Sequence, residues 1–176
     1  MKRLYTMANG ILNLTKVENR SILTNVTEYN LSEQIRLTVL LLESKWTARN
    51  INMNIDFGEY TINANEEMMK QVWINLLDNA IKFSPEGEEI SIRISNKNEH
   101  IYVSISGKGP HIEDEEINKI FRKFYQSDSS HSTEGTGIGL ALVSRIIELH
   151  KGRIEVNSDK NINTCLLYTS PSPRDP

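Results

Sequence analysis

Residues Gln71–Phe83 read QVWINLLDNAIKF, with apolar and polar side chains alternating at helical intervals. Asn65 stands before this run as a helix cap and Pro85 after it as a stop, which predicts one helix over roughly Glu66 to Phe83. Val72, Leu76, Ile81 and Phe83 are available to a core. Asn75, Asn79 and Lys82 fall on a second ridge, because residues three and four apart are neighbours on a helix. Two carboxamides and an ammonium make a poor core face. They make a good face for phosphate and a hard metal: a carboxamide oxygen suits Mg²⁺, which keeps most of its waters and binds substrate phosphates, and Lys82 is a point charge for phosphate oxygens. A solvated polar helix face is the ordinary alternative.

Outward toward the C-terminus, Glu134–Ile147 reads EGTGIGLALVSRII. Gly135, Gly137 and Gly139 alternate immediately before a predicted helix, Gly139 to His150, with Gly152 as its expected stop. Glycines let a backbone approach a ligand closely, and a helix start offers free N–H groups and a positive dipole end. This is a phosphate cradle, or simply a flexible loop before a helix. It is not a Walker loop, since neither Lys-Ser nor Lys-Thr follows the last glycine.

The other elements pair locally. A short strand is expected near Asn25–Tyr29. A helix capped by Asn30, with Glu33 as the capping-box partner, then runs to about Thr47. Ile51, Met53, Ile55 and Phe57 alternate as a strand with one buried face. Ile90, Ile92 and Ile94, then Ile101, Val103 and Ile105, form a hairpin about the polar turn Asn96–Glu99. Ile154 and Val156 start a further strand. Residues 107–135 are mostly polar around an aromatic island at Ile120–Tyr125, and long polar segments in compact domains are often lids. At the N-terminus Leu4, Met7, Ile11 and Leu14 make one apolar seam, either folded back on the domain or half of a helical hairpin. The fold class is α+β, a two-layer sandwich with one sheet covered on one face by helices.

Composition narrows the function. The 176 residues are 38% hydrophobic and 24% charged with a net charge of −3. That is a soluble globular profile without a basic field for nucleic acid or anionic lipid. No apolar run is long enough to span a bilayer. Cys165 is the single cysteine, so no internal disulfide is possible and a cytoplasmic setting is expected.

NLLDNAIK, GTGIGLAL, the intervening IFRKFYQ (Ile120–Gln126) and HKGRIEVNS together resemble the catalytic domain of bacterial sensor histidine kinases, over about Asn25–Thr164. They correspond to its asparagine box, second glycine box and phenylalanine box and to the strand that follows. The resemblance implies a Bergerat-type ATPase fold that binds ATP and Mg²⁺ between the asparagine-box helix and a lid. It implies that Asn79 coordinates Mg²⁺, that Asn75 assists at the same ion or its waters as the catalytic side chain, and that Lys82 meets phosphate oxygens. It implies a phosphate-holding backbone at Gly135, Thr136, Gly137, Ile138, Gly139 and Leu140, and further nucleotide contacts from Gly109, Ile112, Phe124 and Tyr125. Phe121 and Phe124 would anchor the lid. Residues 1–23 would be the end of a dimerisation and phosphoacceptor hairpin, 24–164 the catalytic domain. The partners implied are a second copy through the N-terminal helix and a response-regulator receiver domain, with no nucleic acid and any membrane contact through segments outside this sequence.

Three departures stand out. Where the family has Asp-x-Gly-x-Gly, this chain has Gly107-Lys108-Gly109-Pro110-His111. Losing that adenine-binding carboxylate should cost about 1–3 kcal/mol, roughly 5- to 150-fold in affinity. Lys108 could add a phosphate contact. None of His100, His111, His131 and His150 has a phosphoacceptor's context, so no acceptor is expected here and all four read as surface or turn residues. Finally, CLLYTSPSPRDP from Cys165 leaves the family pattern and resembles a translated frame of a sequencing adapter. A non-native-looking, disordered tail over 165–176 is expected, in which a last strand survives only by the apolarity of Leu166 and Leu167 and the Pro- and Ser-rich Ser170–Pro176 is the disordered part. Two other readings remain open: a non-catalytic dimerisation or interaction module, and an incomplete fragment without an independent role.

Overall fold

The computed structural model describes residues 22–117, 119–121, 139–159 and 162–168, the stretch 163–168 by its backbone alone. The Leu4–Leu14 seam, His131 and residues 169–176 lie outside the described residues. In chain order the elements are β1 (Val26–Asn30), α1 (Leu31–Leu41), α2 (Glu43–Ala48), β2 (Asn52–Ile55), β3 (Thr61–Asn65), α3 (Glu66–Phe83), β4 (Glu89–Lys97), β5 (His100–Lys108), α4 (Asp114–Ile117), α5 (Gly139–Leu149), β6 (Arg153–Asp159) and β7 (Ile162–Tyr168). Five strands form one sheet in the order β2-β4-β5-β7-β6, and β1 and β3 pair separately. Only β2–β4 is parallel; the other pairs are antiparallel.

Sheet and helices meet through the periods expected of them. Ile90, Ile92, Ile94, Ile101, Val103 and Ile105 are all buried, and the register sets Ile92 opposite Ile105 and Ile94 opposite Val103. Against that face lie Val72, Trp73, Leu76, Leu77 and Ile81 of α3 and Leu142, Val143, Ile146 and Ile147 of α5. Phe83 is only half-buried, because it ends the helix under the Lys82 ammonium, which sits 5.1 Å from its ring. Buried Gln34 ties the layers together. Its carbonyl accepts from the Tyr29 hydroxyl at 2.8 Å and the Trp73 indole at 2.9 Å, and its amide donates to the Glu66 carbonyl at 2.9 Å. Burial above all, then nearby Glu66, pushes the Tyr29 phenol well up, against the pull of its bond to Gln34.

Several expectations need correction. The helix after Asn30 is not continuous to Thr47: it breaks at Leu42 (φ −97°, ψ 11°). The Trp46 indole donates to the Val39 carbonyl at 2.9 Å, the group a continuous helix would use for the next turn. Asn30 does accept from the Glu33 N–H at 2.9 Å, but the Glu33 carboxylate lies 3.4 Å from Arg36. Strand β3 was not anticipated, since Thr61–Asn65 offers only Ile62 and Ala64 as buried apolar residues. At the end of α5 the left-handed residue is Lys151 (φ 57°), not Gly152. Gly152 supplies the N–H that closes on the Ile147 carbonyl at 2.9 Å, a Schellman arrangement.

The last strand is the part of the tail that the structure describes. Residues 165–168 belong to β7, an interior strand, with Cys165 opposite Ile105 on one side and Val156 on the other. Two ready ladders hold this backbone, whatever the stretch's origin, so disorder does not begin at Cys165.

The β4–β5 turn yields a direct test. Asn98 (φ 52°) and Glu99 (φ 67°) are both left-handed, and the ladder closes at Lys97 and His100, as in two-residue hairpin turns where Asn-Gly is favoured. Replacing exposed Glu99 with glycine relieves the strained position. Glu99→Gly is expected to stabilise the fold by about 0.5–1 kcal/mol and to raise Tm by roughly 2–5 °C, read by thermal denaturation.

Candidate functional site

Both ends of α3 are pinned, which fixes the direction of its polar ridge. At the start the Asn65 side chain accepts from the Met68 N–H at 3.0 Å. At the end the Ser84 N–H reaches the Ala80 carbonyl at 3.1 Å, and Arg49 donates to the Ser84 carbonyl. The Arg49 carbonyl takes the N–H of Gly87, whose φ of 83° turns the chain into β4.

On that ridge Asn75, Asn79 and Lys82 are half-buried. The Asn75 amide donates to the Gln71 carbonyl at 2.7 Å, so its own oxygen points away from the helix axis. That oxygen meets the first residue of α5: a Cβ placed on Gly139 would lie 2.6 Å from Asn75 Oδ1 and 3.3 Å from its Cγ. Only a residue without a side chain lets the start of α5 come this close. The structure thus brings Asn75 of the ridge against Gly139, the last glycine of the triplet and the first residue of α5. Leu140 is beside it and half-buried. Phe124, Tyr125, Gly135, Thr136, Gly137 and Ile138 lie outside the described residues; Phe121 is half-buried.

The segment after β5 is anchored elsewhere. The Ile112 N–H donates to the Ser158 hydroxyl at 2.9 Å, and His111 Nδ1 lies 3.2 Å from the same oxygen. Ile112 is therefore tied to β6, and no described bond runs from Gly109 or Ile112 to α3. Lys108 pairs with Glu88 at 3.4 Å. Gly107 sits opposite Ile90, and a Cβ there would come 3.3 Å from Ile90 Cγ1. An aspartate at 107 therefore needs Ile90 to yield by a few tenths of an ångström.

His150 stands in the turn that ends α5, one of the two places expected for it, but it is buried instead of on the surface, at 9% exposed. Its Nδ1–H donates to the Ile146 carbonyl at 2.8 Å, and its Nε2 accepts from the Asn65 N–H at 3.1 Å. Burial pushes the imidazole below its ordinary range, with the Ile146 carbonyl pulling the other way. Its place one helical turn after a fully buried isoleucine was the available signal. The other described histidines, His100 and His111, are half-buried and exposed respectively.

Residues 64–174 match the family described as histidine kinase-, DNA gyrase B- and HSP90-like ATPase. The adaptive-response sensory kinase SasA of Prochlorococcus marinus is 37% identical over 153 residues, 85% of this chain and 40% of that protein. The sensor histidine kinase CusS of Escherichia coli is 27% identical over 174 residues, 98% of this chain and 36% of that protein. The chain thus spans well under half the length of these relatives. The catalytic domain of histidine kinase ThkA superimposes with a TM-score of 0.77 at 31% identity, over 85% of this chain and 98% of that one. ThkA in complex with the response regulator TrrA gives a TM-score of 0.80 at 28% identity, over 99% of this chain and 49% of that one. A family match over most of the chain, joined to the same fold, places this protein in the histidine kinase-, DNA gyrase B- and HSP90-like ATPase family, with sensor histidine kinases among its homologues.

Proposed function

We propose that the chain is the ATP-binding catalytic module of a two-component sensor histidine kinase, acting on a histidine carried outside this sequence. The observation that carries the proposal is the contact between Asn75 Oδ1 and Gly139. It sets one hard carboxamide oxygen beside the positive end of α5, which supports a site where a triphosphate would find both. Asn79 and Asn75 would hold Mg²⁺ together with phosphate oxygens. Bound there, the ion would neutralise charge on the phosphates. Lys82 orients a phosphate oxygen, and the N–H groups at the start of α5 hold the chain of phosphates in line. The bond from the γ-phosphorus to the ADP oxygen breaks as one forms to an imidazole nitrogen, with positioning and electrostatics supplying the catalysis. ThkA was solved with a response regulator, which supports a receiver domain as the next phosphoryl acceptor. Dimerisation through the N-terminal segment and a place on the cytoplasmic face of a membrane belong to the same reading.

Calorimetric titration with Mg²⁺-ATP tests this. Binding is expected, tightened about 5- to 150-fold by Gly107→Asp and lost in Asn79→Ala. No heat at millimolar nucleotide, even in Gly107→Asp, removes the proposal. A second reading, an interaction module that has given up ATP, rests on Gly107, where the adenine-binding carboxylate is missing. It requires Asn79→Ala to leave signalling intact in cells.

A further inference from the structure

His150 lies far from the candidate phosphate site yet touches both helices that build it. Asn75 meets Gly139 at one end of the α3–α5 pair, and Asn65 meets His150 at the other. The two contacts are ten residues apart on α3 and eleven on α5, about 15 Å on either helix at 1.5 Å per residue. The helices therefore run antiparallel and are fixed to each other at two points. Sliding α5 along α3, or letting its far end swing, moves Gly139 against Asn75. Asn65 carries a third link as well, since its side-chain amide donates to the Thr24 carbonyl at 2.9 Å.

We propose that His150 is a positioning residue that sets the register of α5 on α3, and that its protonation in mild acid releases this register and loosens the phosphate cradle. The geometry defines the switch. Neutral His150 donates from Nδ1 to the Ile146 carbonyl and accepts at Nε2 from the Asn65 N–H. Placing a proton on Nε2 turns the acceptor into a second donor, so the Asn65 N–H loses its partner and two donors face each other in a buried place. Charged groups on the elements that meet here are Glu28 on β1, Glu66, Glu67, Lys70, Asp78 and Lys82 on α3, Arg145 and Glu148 on α5, and Lys151 beside His150. None of them is a cause of the lowered His150 pKa, which burial drives. The sign follows. The folded state takes up this proton less readily than the unfolded chain, so the clamp is intact above the ordinary histidine value near 6.5 and is lost progressively below it.

The inference rests on the nucleotide reading for its functional meaning, but its test does not need nucleotide. In ¹⁵N-labelled 176-residue protein, the Asn75 side-chain amide and the Gly139 backbone amide are followed by NMR from pH 7.5 to 5. Both signals are expected to move with the same midpoint as the His150 ring. In His150→Gln the carboxamide can still accept from Asn65 and donate to Ile146 but cannot titrate, so both signals should stay at their high-pH positions. Movement in His150→Gln equal to that of the natural chain overturns the proposal. So do stationary signals in the natural chain while His150 titrates, an outcome that stands even if the variant does not fold. Where Mg²⁺-ADP binds, its dissociation constant should rise in step with protonation of the His150 ring in the natural chain and stay flat in His150→Gln. Absence of nucleotide binding would count against the nucleotide reading alone.

Discussion

A chain ending at Thr164 is expected to lose cooperative folding, whereas one ending at Tyr168 keeps it. The four residues between these ends belong to an interior strand of seven. Ile105 pairs with Cys165, Ser104 with Leu166, Val103 with Leu167 and Tyr102 with Tyr168 on one side. On the other, Val156, Glu155, Ile154 and Arg153 pair with the same four. Strand β6 has no other neighbour in the sheet, so the shortened chain leaves it tied to β5 only through Ile162–Thr164. Ladder bonds are worth about 0.5–1.5 kcal/mol each, and two ladders are cut along four residues. Buried Val103 and Ile105 then lie on an open edge. Against a domain stability of about 5–15 kcal/mol, that loss is decisive. Circular dichroism melts of the two shortened chains decide the matter. A sharp transition at an unchanged temperature for the chain ending at Thr164 would show that β7 is not a working interior strand.

That strand also marks where the sequence was opaque. Only Leu166 and Leu167 argue for a strand there, between Asn161 and Asn163 on one side and a Pro- and Ser-rich stretch that argues for disorder on the other. The long periodic elements were legible. Helix α3 starts at its Asn65 cap and ends before Pro85 as read, and the isoleucine hairpin keeps its expected faces. Strand β3 was hidden because pairing with β1 supplies what its two apolar residues do not. At the site, the ridge of Asn75 and the glycine before α5 could be named from spacing, since side-chain chemistry and helical period were enough. The link from Asn65 to His150 joins residues 85 positions apart. No local pattern reports such a contact. Nor could spacing tell that Lys108 would pair with Glu88.

Gly139→Ala should separate the site's function from the fold's stability. The added methyl would fall 2.6 Å from Asn75 Oδ1. That atom is the end of a side chain that can rotate, so the helices need not part. Asn75 swings away and gives up its 2.7 Å bond to the Gln71 carbonyl, about 1 kcal/mol. Alanine in place of glycine at a helical position returns up to about 1 kcal/mol, so Tm should hardly change. Nucleotide binding has no such compensation. On the proposed reading the Asn75 oxygen belongs at the metal and its waters. Displacing a polar partner of a charged group costs about 1.5–3 kcal/mol, roughly 10- to 150-fold in the Mg²⁺-ATP dissociation constant. The Gly107→Asp background gives the affinity range for measuring this. Asn75→Ala should lose as much by itself, and adding Gly139→Ala to it should lose little more, because both changes remove one oxygen from one place. Full additivity of the two losses would mean that Gly139 acts through something other than Asn75, and the meeting of ridge and helix would no longer account for binding.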